Sequence, residues 1–306
     1  MIRSGELFSY LAEREQVRLR KEAGQPWPWT DDPILQKYKF TNVRREDDAT
    51  SRELITRHYH TYGKDADAAS ILLNCAIARY FGRWEFAAAL GWQTYDDVDF
   101  DWIEDLAAQR RAEKKPVFTG AYVITNGGIA APKEEVVTHY YLKALHAVIP
   151  DLVAEAQMTN SWRAVAKKLM KVDGFGGSGF MAKETLCDTT YTAFWPEPRF
   201  EKQVSGRPSI HSLPGDWWSW TPCGPGARRG MVRVLGHDDI YSVEAQSMRR
   251  DVARCEALCN KLSEESTGRL TYQLAPHDIQ FALCEFDKYE RVRLGQGTPR
   301  STYKRR

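Results

Sequence analysis

The sequence has no CxxC pair, no HExxH, no long apolar run and no dominant charge. Its six cysteines, at 75, 187, 223, 255, 259 and 284, are scattered. That spacing excludes a zinc ribbon or a four-cysteine iron–sulfur loop, and no metal centre is predicted. Cys255 and Cys259 fall four apart on a predicted helix, a common arrangement for buried thiols. The seven histidines show no ligand spacing. No stretch approaches the roughly 20 apolar residues of a membrane span, and no signal peptide opens the chain. A reduced, soluble, cytoplasmic protein is therefore expected. A net charge of +2 over 306 residues excludes general polybasic character, so any contact with a polyanion would rest on local patches.

At 42% hydrophobic the chain can bury one large core or two modest ones. Ten Trp and fourteen Tyr suit core and rim positions, and they also suit base-stacking surfaces. One basic patch is plain. From Lys288 to the end, Lys288, Arg291, Arg293, Arg300, Lys304, Arg305 and Arg306 stand against a single Glu290, and the basic tail over 290–306 is either laid along phosphates or simply solvated.

Apolar periodicity predicts helices near 2–22, 49–62, 65–81, 83–90, 100–113, 133–156, 160–172, 179–190, 240–263 and 276–290. Residues 117–124 are the best strand candidate, and the Pro-, Gly- and Ser-rich stretch 196–216 reads as a loop. A second glycine turn is expected over 223–230. The fold class is mainly α with little β structure, built as a single interlocked helical unit over 1–306.

Residues 160–190 form a predicted helix–hairpin–helix element around Val172-Asp173-Gly174-Phe175-Gly176-Gly177. Glycines permit left-handed turns and close backbone approach, and the following helix start offers free N–H donors to a phosphate. Gly174, Gly176, Gly177 and Ser178 are thus candidate DNA contacts, with Arg291 from the basic end of the chain. An ordinary glycine-rich helix corner is the other reading. The element resembles that of helix–hairpin–helix DNA glycosylases, which implies a glycosylase-like helical fold. Ser178 stands where glycosylases with lyase activity carry a Schiff-base lysine, and the iron–sulfur cysteines are missing. Pro196 and Glu197 stand where a catalytic aspartate would be expected, and Asp188 is the nearest one.

Three further constellations stand out. Thr41-Asn42-Val43-Arg44-Arg45-Glu46-Asp47-Asp48 offers both acid/base groups and an anion clamp, or else a solvated helix start. Gly224-Pro225-Gly226-Ala227-Arg228-Arg229-Gly230 reads as a rigid turn with N–H groups beside two guanidiniums, suited to pyrophosphate, or as a surface loop. In Leu283-Cys284-Glu285-Phe286-Asp287-Lys288-Tyr289 the charges either serve a site or form a salt-bridge net.

Together with Pro26-Trp27-Pro28-Trp29-Thr30-Asp31-Asp32-Pro33 and Asn74-x4-Arg79-Tyr80-Phe81, these motifs resemble the α-glutamyl/putrescinyl thymine pyrophosphorylase family of bacteriophages over roughly residues 20–303. The resemblance implies an amino acid:DNA transferase that replaces the pyrophosphate of 5-pyrophosphoryloxymethyluracil with an amine, such as that of glycine. Its partners would be double-stranded phage DNA and a free amino acid, with no membrane, in the cytoplasm of the infected host. A separate DNA kinase would supply the pyrophosphorylated base. A related helical domain accompanies such kinases, but this sequence has no GxxxxGK[ST] loop, so kinase activity is not expected.

On that reading a base flipped from the duplex meets a carboxylate among Glu46, Asp47, Asp188 and Glu285, which deprotonates the amine. Arg228, Arg229 and the turn at Gly224 and Gly226 meet the pyrophosphate, with Asn42 and Arg45 nearby. Lys288 or Arg79 receives the amino acid's carboxylate. No cofactor is required, and Mg2+ can accompany the pyrophosphate. A monofunctional glycosylase for a modified thymine and a non-catalytic DNA-binding module remain the alternatives.

Overall fold

The computed structural model describes residues 2–196, 198–204 and 206–303; Glu197 and the basic Lys304, Arg305 and Arg306 lie outside the described residues. The protein is mainly helical, as its periodicity predicts. It divides into two compact units, where one interlocked unit is expected. A terminal unit combines residues 1–48 with 218–306, and a central unit spans 49–217. Local periodicity cannot report this division, because the terminal unit joins segments from both ends of the chain.

In the terminal unit, Ser4–Glu22 buries Leu7, Phe8, Leu11 and Val17 at helical spacing. Pro33–Lys37 starts with Asp32 accepting from Ile34 N at 2.7 Å and Leu35 N at 3.1 Å, and Pro33 in the first turn. Helices Pro225–Val234, Val243–Arg250, Val252–Arg269 and Pro276–Arg293 enclose a core that includes Met231, Leu262, Leu283 and Phe286. The basic tail is tied back as far as it is described. Tyr38 pairs with Thr302, Lys39 N donates to Ser301 O at 2.9 Å, and Tyr303 N donates to Lys37 O at 3.0 Å. Arg291 and Arg293 belong to the last helix.

In the central unit, Ala68–Phe81 is buried at every position from Ser70 onward, so it is apolar on all sides rather than amphipathic. Asp67 caps its start through Ser70 N at 2.8 Å, and Gly82 ends it at φ +60°. The helix expected over 49–62 is interrupted by a π-helical stretch at Leu54–Tyr59, and a second lies at Val136–Leu142.

Two expectations fail here. Residues 117–124 form no strand. Thr119 N bonds to Phe81 O at 2.8 Å and the Tyr122 hydroxyl donates to Arg79 O, so this segment satisfies its polar groups against a helix end rather than a neighbouring strand. Within the expected 196–216 loop, Arg199–Val204 pairs antiparallel with Arg207–Ser212, placing Phe200 opposite His211. Both strands are short and largely exposed on one side, which leaves a weak apolar alternation. No described helix is long and apolar enough to cross a membrane.

Candidate functional site

In the central unit the segment expected to form the hairpin is a glycine-rich turn between helices Trp162–Leu169 and Phe180–Thr189. Asp216 secures its first helix, accepting from Trp162 N at 2.7 Å and Arg163 N at 3.0 Å. Gly174, Gly177 and Gly179 are left-handed, at φ +84°, +66° and +70°. Their duties differ. A Cβ on Gly174 would stand 2.4 Å from both Tyr141 and Tyr80, so this glycine serves packing. Gly176 would meet Met170 O at 2.9 Å. Gly177 has open space around it, and Gly177 and Ser178 are exposed. Phe175 anchors the turn, fully buried and edge-on to Tyr80. Beside the hairpin is a groove of about 440 Å³ lined by Val148, Leu152, Lys168, Lys171, Val172 and Asp173.

Behind the second hairpin helix lies a buried charge network. Arg79 donates to Asp188 Oδ1 and faces Glu184 at 3.9 Å. The Tyr59 hydroxyl donates to Asp188 Oδ2 at 2.6 Å, and Lys183 Nζ lies 3.1 Å from Glu184. Burial works against the Arg79 charge, but Asp188 and Glu184 hold its pKa well above the ordinary value. Burial, reinforced by Asp188, pushes the Tyr59 phenol up. Asp188 thus acts as an ion-pair hub inside the unit. Its partners are Arg79 and Tyr59, and Arg79 links it to Glu184, which Lys183 also meets; sequence reasoning missed Glu184 and Lys183, although Glu184 and Asp188 sit at i and i+4 of one predicted helix.

The other predicted carboxylates belong to the terminal unit. Arg45–Asp47 makes a single 3-10 turn. Asn42 N donates to Asp48 Oδ1 at 2.9 Å and Asn42 Nδ2 to Asp47 O at 2.7 Å, while Arg14 donates to Asn42 Oδ1. Arg44 contacts Asp47 at 2.9 Å and Glu46 at 3.4 Å, and Arg45 contacts Asp48 at 2.8 Å. Burial raises the Asp47 pKa even though Arg44 and Arg18 act against it. Glu285 joins this segment to the last helix, accepting from Thr41 N at 3.2 Å and pairing with Lys288. Burial alone would lower the Lys288 pKa, but Glu285 raises it above the ordinary value. Glu46, Asp47, Glu285 and Lys288 are therefore members of one unit, whereas Asp188 and Arg79 are members of the other.

The expected pyrophosphate turn is a helix. Gly224 is the N-cap, Pro225 opens the first turn, and Arg228, Arg229 and Gly230 lie inside Pro225–Val234. A Cβ on Gly226 would meet Cys284 Sγ at 2.3 Å, and one on Gly230 would meet Leu283 O at 1.9 Å. These glycines, four apart, let this helix pack tightly against Pro276–Arg293. The same packing brings arginines around Asp287, which is fully buried. Arg229 lies 2.8 Å away, Arg233 3.4 Å and Arg291 3.5 Å. Arg233 is fully buried, while Arg229 and Arg291 remain about a third exposed. Arg228 turns to a recess of about 220 Å³ that it lines with Pro225, Gln246, Arg249 and Arg250. Arg249 and Arg250 were not signalled by any motif.

One more cluster follows from the fold alone. Cys223, Cys255 and Cys259 are all buried, with their sulfur atoms within 4.8 Å of one another. Hydrogen bonds from Cys223 and Cys259 push the Cys255 thiol down to about 5. Interaction with Cys223 and Cys255 pushes Cys259 up.

Residues 3–206 and 210–298 match the family described as "5-hmdU DNA kinase, helical domain". The chain is 29% identical over 244 residues to the 5-hmdU DNA kinase of Bacillus phage SP10, an alignment covering 74% of this chain and 35% of that protein. The chain thus spans about a third of that relative's length. No solved structure matches. These matches overturn the expected membership of the thymine pyrophosphorylase family, and with it the amino acid transfer and glycosylase readings. A likeness of motifs and fold does not fix the reaction, which depends on the details of the site. The chain belongs to the 5-hmdU DNA kinase helical-domain family.

Proposed function

We propose that this chain acts in the phosphorylation of 5-hydroxymethyluracil in phage DNA, holding the DNA that carries the modified base. The observation that carries this reading is the family match across almost the whole chain. The relative's printed activity, a kinase for 5-hmdU DNA, suggests the substrate and the enzyme class. The sequence lacks GxxxxGK[ST], so the contribution assigned to these residues is the grip on DNA rather than a P-loop phosphate cradle. Mg2+ would accompany the nucleoside triphosphate in such a transfer. The infected bacterial host is the setting.

Gly177 and Ser178 would approach one phosphate at the hairpin. The partly exposed Arg229 and Arg291, with the recess formed by Arg228, Arg249 and Arg250, would meet others. Two measurements test the proposal. Anisotropy titrations compare matched duplexes containing 5-hydroxymethyluracil or thymine, and radiolabelled ATP is supplied to the modified duplex before digestion to nucleotides. Preference for the modified duplex, or label on its hydroxymethyl group, is the expected result. Equal affinities together with no labelled nucleotide would overturn it.

A further inference from the structure

We propose that Cys223, Cys255 and Cys259 form a zinc site in the terminal unit. Cys255 and Cys259 project from one face of Val252–Arg269, one turn apart. Cys223 comes from the segment just before Gly224, the N-cap of Pro225–Val234. The Cys223 and Cys259 sulfurs are 3.7 Å apart, and all three lie within 4.8 Å of one another. Zinc bound to thiolate at about 2.3 Å in tetrahedral geometry places its sulfurs roughly 3.8 Å apart, so the observed triangle needs only small closure. The same separation is well beyond the roughly 2.0 Å of a disulfide.

Charge favours the site as well. Three thiolates around Zn2+ carry one net negative charge, and Arg228, on the helix that Cys223 precedes, supplies positive charge to the same unit. Among the described residues no histidine or carboxylate joins the trio, so the fourth ligand is a water molecule. Binding converts three thiols to thiolates and releases their protons to solvent, with no change of oxidation state. The zinc would pin the start of Pro225–Val234 to Val252–Arg269. The arginines on the first of these helices would then be held by a covalent-like staple as well as by packing.

The test uses the full chain, purified under reducing conditions. Zinc is measured by mass spectrometry after dialysis against Zn2+ and then against buffer, and Co2+ titration is followed by thiolate-to-cobalt charge-transfer absorption. One zinc per chain and a saturable charge-transfer band at one equivalent are expected. X-ray absorption should show three sulfur neighbours and one lighter one. Cys223→Ser and Cys259→Ser should each lose the metal, while Cys75→Ser, in the central unit, should keep it. The Co2+ spectrum of the unsubstituted chain decides the matter even where a serine variant fails to fold. No band at one equivalent, or zinc retained equally by the Cys223→Ser variant, would overturn the proposal.

Discussion

The buried networks around Asp188 and Asp287 use the same residue types for opposite ends. In the central unit Arg79 and Lys183 meet Asp188 and Glu184, two cations for two carboxylates, and all four are buried. In the terminal unit a single buried Asp287 has three arginines within 3.5 Å, and two of them keep part of their guanidinium in solvent. A closed, balanced network has its charge neutralised internally and fixes helix positions. An incompletely neutralised one leaves positive charge at the surface, where a polyanion can complete it. The comparison gives Asp188 a closed, internally balanced network and Asp287 one that leaves arginine charge exposed.

The largest effect should come from Asp188→Ala, which leaves Arg79 buried without its closest partner. A loss of about 3–5 kcal/mol in urea unfolding is expected, and a change below about 1 kcal/mol would break the contrast. Next is the response to pH of the same unit. Burial lowers the pKa of His58 from 6.5 to about 4. The unfolded chain therefore takes up this proton first, and stability is full above pH 6.5 and falls as pH drops toward 4. The shift corresponds to roughly 3 kcal/mol. The urea midpoint of His58→Gln should show a shallower decline across this window than that of the unsubstituted chain, and parallel curves would remove His58 as the cause.

Gly230→Ala drives a Cβ into the Leu283 backbone, with an expected loss of about 1–3 kcal/mol or more. Gly177→Ala meets no neighbour and carries only the left-handed backbone penalty, roughly 1–2 kcal/mol. Calorimetry of the two variants should rank them in that order, and the reverse ranking would mean the Gly177 turn is packed in solution. The last effect, read on function rather than stability, belongs to Arg229→Ala and Arg291→Ala. Each should weaken DNA binding and reduce the log–log salt slope by about 1. An unchanged slope would take these arginines off the DNA-contact surface.

Much of the architecture was legible because its signals are local. Asp32-Pro33 marks a helix start, Asp67 caps the Ala68–Phe81 helix, and Gly82 ends it. The hairpin announced itself through Gly174-Phe175-Gly176-Gly177. Misreadings arose where one local signal serves two physical ends. Gly224–Gly230 looks like a phosphate turn, yet two of its glycines exist for helix packing. Residues 117–124 have strand composition but find their partner in a helix end. The motif likeness pointed to a different family from the one that matches, and in this chain the charged residues it relied on include structural ion pairs.

The sequence by itself determined the helical character and the glycine-rich turn around 172–177. Backbone conformation at those positions depends on residues only a few places away. Only the tertiary structure decided which charges meet. It joined residues 1–48 to 218–306, assigned Glu46, Asp47 and Glu285 to one unit and Asp188 to the other, and gathered Cys223 with Cys255 and Cys259. Those pairings follow from burial of distant apolar faces, and the charged groups must then find partners in the interior that burial creates.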